Sequence, residues 1–217
     1  DVPVPTLTSI TPREAWLALV VVCGLSYASY LLQRYVAPAG GGLWTAALGG
    51  LYSSTATTVV LARQAKTETA TARQARTGIA LATAIMYLRI LAVVAAFNVV
   101  LARSLAPALV ALSLLALVLT AVLYRSHAGV PEGARHMNVS NRNPLEGGSA
   151  RVFAALYVAV SLLSNFIKGR FGVSGVLSLA AVVGFTDIDP FVLNLAQGGA
   201  AGLSAGVLGA AILIASS

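Results

Sequence analysis

Apolar and polar positions alternate along this chain in long blocks, not with the short periods of a soluble fold. Apolar runs of membrane-crossing length cover Ala15–Val36, Gly42–Ala62, Gly78–Ala102, Leu105–Tyr124 and Ala150–Ile167, and two more, from Gly172 and from Gly198 to Ser217, flank a short polar stretch. That stretch is Gly184, Phe185, Thr186, Asp187, Ile188, Asp189 and Pro190. Thr11, Pro12 and Glu14 form a helix-start pattern, with Thr11 as cap and Pro12 at the first helical position. Asn143, Pro144, Leu145 and Glu146 repeat it. The pattern predicts an all-α, polytopic transmembrane bundle of about seven spans, preceded by a linker over residues 1–10. Its expected parts are a first transmembrane repeat over 11–124, a cytoplasmic loop over 125–149 and a second repeat over 150–217.

Two interruptions stand out within the apolar runs. From Phe171 onward Asp187 and Asp189 are the only ionisable side chains, and a carboxylate at membrane depth costs roughly 3 kcal/mol on insertion scales. The run from Phe171 to Phe185 makes only about 22 Å of helix, short of a core of roughly 30 Å, so both carboxylates are expected inside the membrane at a helix break. The alternative is an aqueous turn between two spans. In the second run, Gly49 and Gly50 precede Tyr52, Ser53, Ser54, Thr55, Thr57 and Thr58. Such hydroxyls either bond back to their own helix or line a cavity where the helix loosens.

An offset of 134 residues connects the two stretches. Gly50 falls on Gly184, Ser53 on Asp187, Thr55 on Asp189 and Leu61 with Ala62 on Leu195 with Ala196. Seven of the 23 positions from Gly41 to Arg63 are identical to their counterparts. The expected architecture is therefore a weak internal repeat with an interrupted helix in each half, the arrangement that marks transport sites in membrane proteins. The repeats run parallel if every span crosses fully.

Composition agrees with the class. Hydrophobic residues make up 58% of the chain, charged residues 10%, and mean hydropathy is +0.84, too few charges to cover a soluble surface. The 14 Lys and Arg against 7 Asp and Glu lie at the ends of apolar runs without interleaved aromatics, which argues for topology and against nucleic acid. An inside N-terminus puts Arg13, Arg63, Lys66, Arg73, Arg76, Arg125, Arg135, Arg142 and Arg151 in the cytoplasm and Arg34, Arg103, Lys168 and Arg170 outside, nine against four. Arg89 remains within the third run, too deep to snorkel, and serves as a fixed counter-charge or as a clamp on helix-end carbonyls. Cys23 is the single cysteine, which excludes an intrachain disulfide. His127 and His136 read as solvated loop residues, and the Asn138–Ser140 glycosylation triplet is discounted in a cytoplasmic loop.

The stretches GGLYSSTATTVVLA (Gly49–Ala62), MYLRIL (Met86–Leu91), NPLE (Asn143–Glu146) and GFTDIDP (Gly184–Pro190) resemble the membrane domain found C-terminal to MgtC/SapB-type domains in bacterial proteins. The resemblance implies a multi-pass protein of the bacterial inner membrane, linked to magnesium limitation and virulence. It also implies an N-terminal MgtC-like membrane domain ahead of Asp1, so the chain is expected to be a fragment, cut at both ends. That family carries Ala after the second Asp, where this chain has Pro190, which sharpens the helix break here.

The expected function is transport or sensing of a small inorganic ion, with a divalent cation such as Mg²⁺ favoured. Its expected ligands are Asp187, Asp189, Thr186, Ser53, Ser54 and Thr55, with Arg89 as counter-charge and the two aspartates as metal ligands; hard cations take such oxygens and keep several waters. The alternative is a non-transporting membrane regulator of the MgtC/SapB type. No pairing of nucleophile and base points to an enzyme. Expected partners are the bilayer, the MgtC-like domain and a second copy of the chain in a homo-oligomer; no cofactor is expected beyond the bound cation.

Overall fold

The computed structural model describes residues 12–35, 37–66, 69–126, 147–185, 187–200 and 202–216. Seven helices follow in order: α1 (Pro12–Tyr35), α2 (Ala37–Gln64), α3 (Thr69–Phe97), α4 (Val99–Arg125), α5 (Gly147–Val183), α6 (Ile188–Ala196) and α7 (Ala205–Ser216). No strand occurs among the described residues. Three helical segments, Gln74–Phe97, Val99–Arg125 and Val152–Val183, are long and apolar enough to cross a membrane, which marks a membrane protein. His127, His136, the Asn138–Ser140 triplet and Thr186 lie outside the described residues.

The chain divides into two compact units that interleave along the sequence. One comprises Gly24–Arg89 and Val110–Pro144, the other Asp1–Cys23, Ile90–Leu109 and Leu145–Ser217. In the first unit small residues set the packing, as van der Waals contact must where lipid removes the hydrophobic drive. Ala46, Leu61 and Ala75 form a buried cluster joined by Ala65 and Ile79. A Cβ on Gly50 would stand 2.6 Å from the Ala82 Cα and 2.8 Å from its carbonyl oxygen, so α2 and α3 meet backbone to backbone. Hydroxyls add cross-links: Ser29 donates to the Leu48 carbonyl at 2.7 Å and Ser113 to the Ala84 carbonyl at 3.0 Å.

The last of these bonds fixes the α3–α4 pair as an antiparallel hairpin, because Ala84 and Ser113 are nearly equidistant from Asn98. The sequence placed this boundary between Ala102 and Leu105; the structure moves it to Asn98. Apolar residues continue across the turn, so hydropathy gives no sign of it. Asn98 makes the turn by capping, its Oδ1 accepting from the Leu101 N–H at 2.9 Å. Arg103 consequently lies inside α4. Beyond this junction Leu114, Leu115, Val118 and Val122 are all more than half exposed, an apolar face of the kind that meets lipid.

Two long helices are not straight. The break expected at Lys168–Arg170 falls at Gly172, and the residues up to Phe171 remain helical. Gly172 has φ 60° and ψ −139°, a region that an L side chain avoids. A Cβ on Gly175 would meet the Ile167 Cγ2 at 2.7 Å and its carbonyl oxygen at 3.2 Å. Eight residues of straight helix would span about 12 Å, so the arms on either side of Gly172 close into a V. The mouth of that V, lined by Leu163, Ile167, Phe171, Ser174, Ser178 and Val182, forms an apolar groove of about 500 Å³.

The last apolar run also differs from its reading as a helix from Gly198. Gly198 and Gly202 have φ of 87° and 89° and shape the turn ahead of α7, and no neighbour packs closely on either Gly198 or Gly202. The close approach in the second unit is made by Gly184, whose Cβ would stand 2.8 Å from the Ala215 carbonyl oxygen. Gly50→Val is expected to lower stability in detergent by about 1–3 kcal/mol through overpacking against the Ala82 backbone. Gly24→Ala, where nothing lies within 4 Å, should leave the thermal midpoint within a degree or so, and the pair can be read from unfolding scans.

Candidate functional site

The polar stretch of α2 marks a sharp bend. A Cβ on Gly49 would stand 2.6 Å from the Thr57 Oγ1, although a straight helix separates such residues by about 12 Å. Ser53 lies midway. Its Oγ accepts from the Ala56 N–H at 3.3 Å, the spacing of a helix N-cap, and the Tyr52 carbonyl accepts from the Arg89 Nη1 at 3.1 Å. The helix therefore bends within this stretch, with Ser53 near the middle of the bend. The interruption expected here takes the form of a bend, and α2 keeps helical backbone from Ala37 to Gln64.

Arg89 is only 8% exposed. A guanidinium on a carbonyl is a charge-assisted hydrogen bond, and this one is a carbonyl contact of the kind weighed beside the counter-charge role. Ser54 is buried, Thr55 exposed and Ser53 half-buried. Thr57 is 1% exposed and its Oγ1 has no hydrogen-bond partner.

The second interruption is a complete break. α5 closes at Val183, Gly184 N–H bonds the Ala180 carbonyl at 3.0 Å and Phe185 N–H the Val182 carbonyl at 3.3 Å, a tightened last turn. Phe185 is 90% exposed at the tip. Asp187, at φ −115° and ψ 112°, is the N-cap of α6, and its Oδ1 accepts from the Asp189 N–H at 3.2 Å. Asp189 occupies the first turn, where negative charge favours the helix dipole. Pro190 comes third in α6, where a missing N–H is tolerated. Residues Pro190 to Ala196 are then all buried.

Two pairs of residues 134 apart make comparable contacts. Ser53 and Asp187, equivalent by the offset of 134, both cap the helix that follows. Gly50 and Gly184, also equivalent, press on the backbones of Ala82 and Ala215, positions equivalent to within one residue. Asp187 and Asp189 belong to the unit containing Leu145–Ser217, and Ser53, Ser54, Thr55 and Arg89 to the unit containing Gly24–Arg89. Among the described residues no group of three or more His, Cys, Asp or Glu side chains could hold a metal. A cation at Asp187 and Asp189 would need hydroxyl, carbonyl or water oxygens to complete its shell.

The sequence reading did not single out Tyr157, Ser161, Ser164, Asn194 or Gln197. The Tyr157 hydroxyl donates to the Gln197 Oε1, while Ser161, Ser164 and Asn194 are buried. The available signal was the spacing of Tyr157, Ser161 and Ser164, which places them on one helical face.

A family model described as "Domain of unknown function (DUF4010)" matches residues 20–217, and the chain belongs to that family. A protein of Aquifex aeolicus (strain VF5), described as "Uncharacterized protein", is 26% identical over 160 residues, covering 73% of this chain and 68% of its own length. No solved structure matches the chain.

Arg89→Leu is expected to lower stability by about 1.5–3 kcal/mol, since it removes a charged, part-buried hydrogen bond to the Tyr52 carbonyl. Ser53→Ala should cost about 1 kcal/mol as a lost cap. Thermal unfolding in detergent orders the two.

Proposed function

We propose that this member of the family is a multi-pass protein of the bacterial inner membrane that binds and moves, or senses, a small inorganic ion at its two interrupted helices. The observation that carries the reading is the pair of caps at repeat-equivalent positions, Ser53 and Asp187. Discontinuous helices placed in corresponding parts of two repeats supply freed carbonyls and helix ends as ion ligands. In the second repeat Asp187 and Asp189, with Thr186, offer hard oxygens suited to a divalent cation such as Mg²⁺. In the first repeat Ser53, Ser54 and Thr55 offer neutral oxygens, and the fixed charge of Arg89 disfavours a second cation there.

The bend in α2 also carries a topology. Its arms, up to Tyr52 and from Ser53 on, are about 24 and 18 Å long, each short of a core of roughly 30 Å. On this reading α2 enters and leaves by one membrane face instead of crossing. Three crossings, α1, α3 and α4, then separate the start of the first repeat from that of the second, and the repeats are inverted. The charge balance is unchanged: Arg34 joins Arg63, Lys66, Arg73, Arg76, Arg125, Arg135, Arg142 and Arg151 inside, and Arg13 joins Arg103, Lys168 and Arg170 outside, again nine against four. The N-terminus is then outside, the reverse of the orientation expected when every run crosses.

A second reading is a regulator that transports nothing and works with an MgtC/SapB-type membrane domain, as the sequence resemblance implies. It is favoured by the structural work that the polar groups already do, Arg89 on Tyr52 and Asp187 on the start of α6. Asp187→Asn separates the readings, because Asn caps as well as Asp while removing the charge. With Asp189→Asn it should abolish Mg²⁺ flux into proteoliposomes and leave unfolding unchanged. Flux equal to that of the unmodified protein would remove the carboxylates from the site, and absence of flux in the unmodified protein would favour the regulator. For the topology, a reporter active only outside the cytoplasm is expected to be active when fused ahead of Pro12 and inactive when inserted between residues 127 and 146.

A further inference from the structure

Several hydroxyls described along these helices satisfy themselves. Thr83 donates to the Ile79 carbonyl, Thr120 to that of Ala116 and Ser178 to that of Ser174, each four residues back. Ser161 and Ser164 of α5 do not. Both are at least 98% buried, and neither Oγ has a hydrogen-bond partner. Asn194 of α6 is completely buried, and its Oδ1 and Nδ2 are likewise unpartnered. All three belong to the same compact unit, in which α5 packs on α6.

These residues share an address. Tyr157, Ser161 and Ser164 line one face of α5, and the Tyr157 hydroxyl bonds Gln197, the C-cap of α6, three residues past Asn194. Asn194 also packs directly on Gly199, where any Cβ would strike its amide, so the side chain is held in place and cannot swing out to the surface. An unsatisfied buried polar group costs about 1–3 kcal/mol, and four such atoms together exceed what one tyrosine bond returns.

We propose that this face of α5 and the end of α6 enclose an internal water-filled site. The chemistry selects water over a bare cation. The two hydroxyls and the amide each offer a donor and an acceptor, a cation would leave the Asn194 Nδ2 unanswered, and Lys168 lies one turn beyond Ser164 on the same face of α5. Buried water makes about three hydrogen bonds to otherwise unsatisfied groups, which matches a mixed donor and acceptor wall. The site is independent of ion binding at either helix break.

Radiolytic hydroxyl-radical labelling of the intact protein in lipid nanodiscs tests this, because radicals form from the bound water itself. Tyr157 is 3% exposed and Phe191, an aromatic of similar intrinsic reactivity on α6, is 0% exposed. Tyr157 is expected to be modified on the order of tenfold faster than Phe191, since only the former would adjoin trapped water. In a Ser161→Ala, Ser164→Ala, Asn194→Leu variant the Tyr157 rate should fall to that of Phe191. Equal protection of Tyr157 and Phe191 in the unmodified protein would overturn the proposal, as would a Tyr157 rate that the triple variant leaves unchanged. If that variant does not fold, single cysteines at 161 and 164 in a Cys23→Ser background should react with a small aqueous thiol reagent, while a cysteine at buried Val176 should not.

Discussion

A guanidinium buried among apolar helices must find an acceptor, and for Arg89 the Tyr52 carbonyl of α2 is one. The bond joins two features of the first unit. A permanently charged side chain is buried in a chain with few charges, and a helix of 28 residues bends sharply beside it. The charge gains a carbonyl at the bend, and the bend gains a donor that cannot be lost by deprotonation. Ser53 completes the arrangement from the other side by capping the arm that follows.

The second repeat meets the same requirement by other means. Its break is wider, the last turn of α5 tightens, and a carboxylate in place of a hydroxyl caps the next helix. Pro190 makes the solution robust, because it occupies one of the few helical positions where a missing N–H carries no penalty. Small residues then decide how close the surrounding backbone can come. Gly50 and Gly184 each meet another helix's backbone directly, at Ala82 and at Ala215, and neither has room for a side chain.

Much of this was legible in the sequence, for definite reasons. Helical class, the membrane setting and the two interruptions follow from long apolar runs broken by hydroxyls and carboxylates, groups that are costly in lipid unless the backbone around them is rearranged. The correspondence of Gly50 with Gly184 and of Ser53 with Asp187 could be counted because glycines and oxygen-bearing side chains recur at a fixed offset. What escaped were features without a local signature. Asn98 turns the chain inside a continuous apolar run, and Gly172 does so a few residues past the basic cluster that marked the boundary. Gly198, Gly202 and Gly206 have the spacing of a packing face, yet the first two serve a turn, since spacing alone does not reveal φ. The closeness of Thr57 to Gly49 could not be read because periodicity assumes a straight helix. The buried amide of Asn194 could not be read because a lone Asn in an apolar segment gives no partner in sequence.

The α3–α4 hairpin has a mechanical consequence. Its helices are joined through a single residue and tied in register by Ser113 on the Ala84 carbonyl, so neither can slide along the other without tearing the turn. Register here is therefore held twice, once by the shortness of the joint and once by a hydroxyl about four helical turns away from it, and a side chain lost from either place leaves the other still in force.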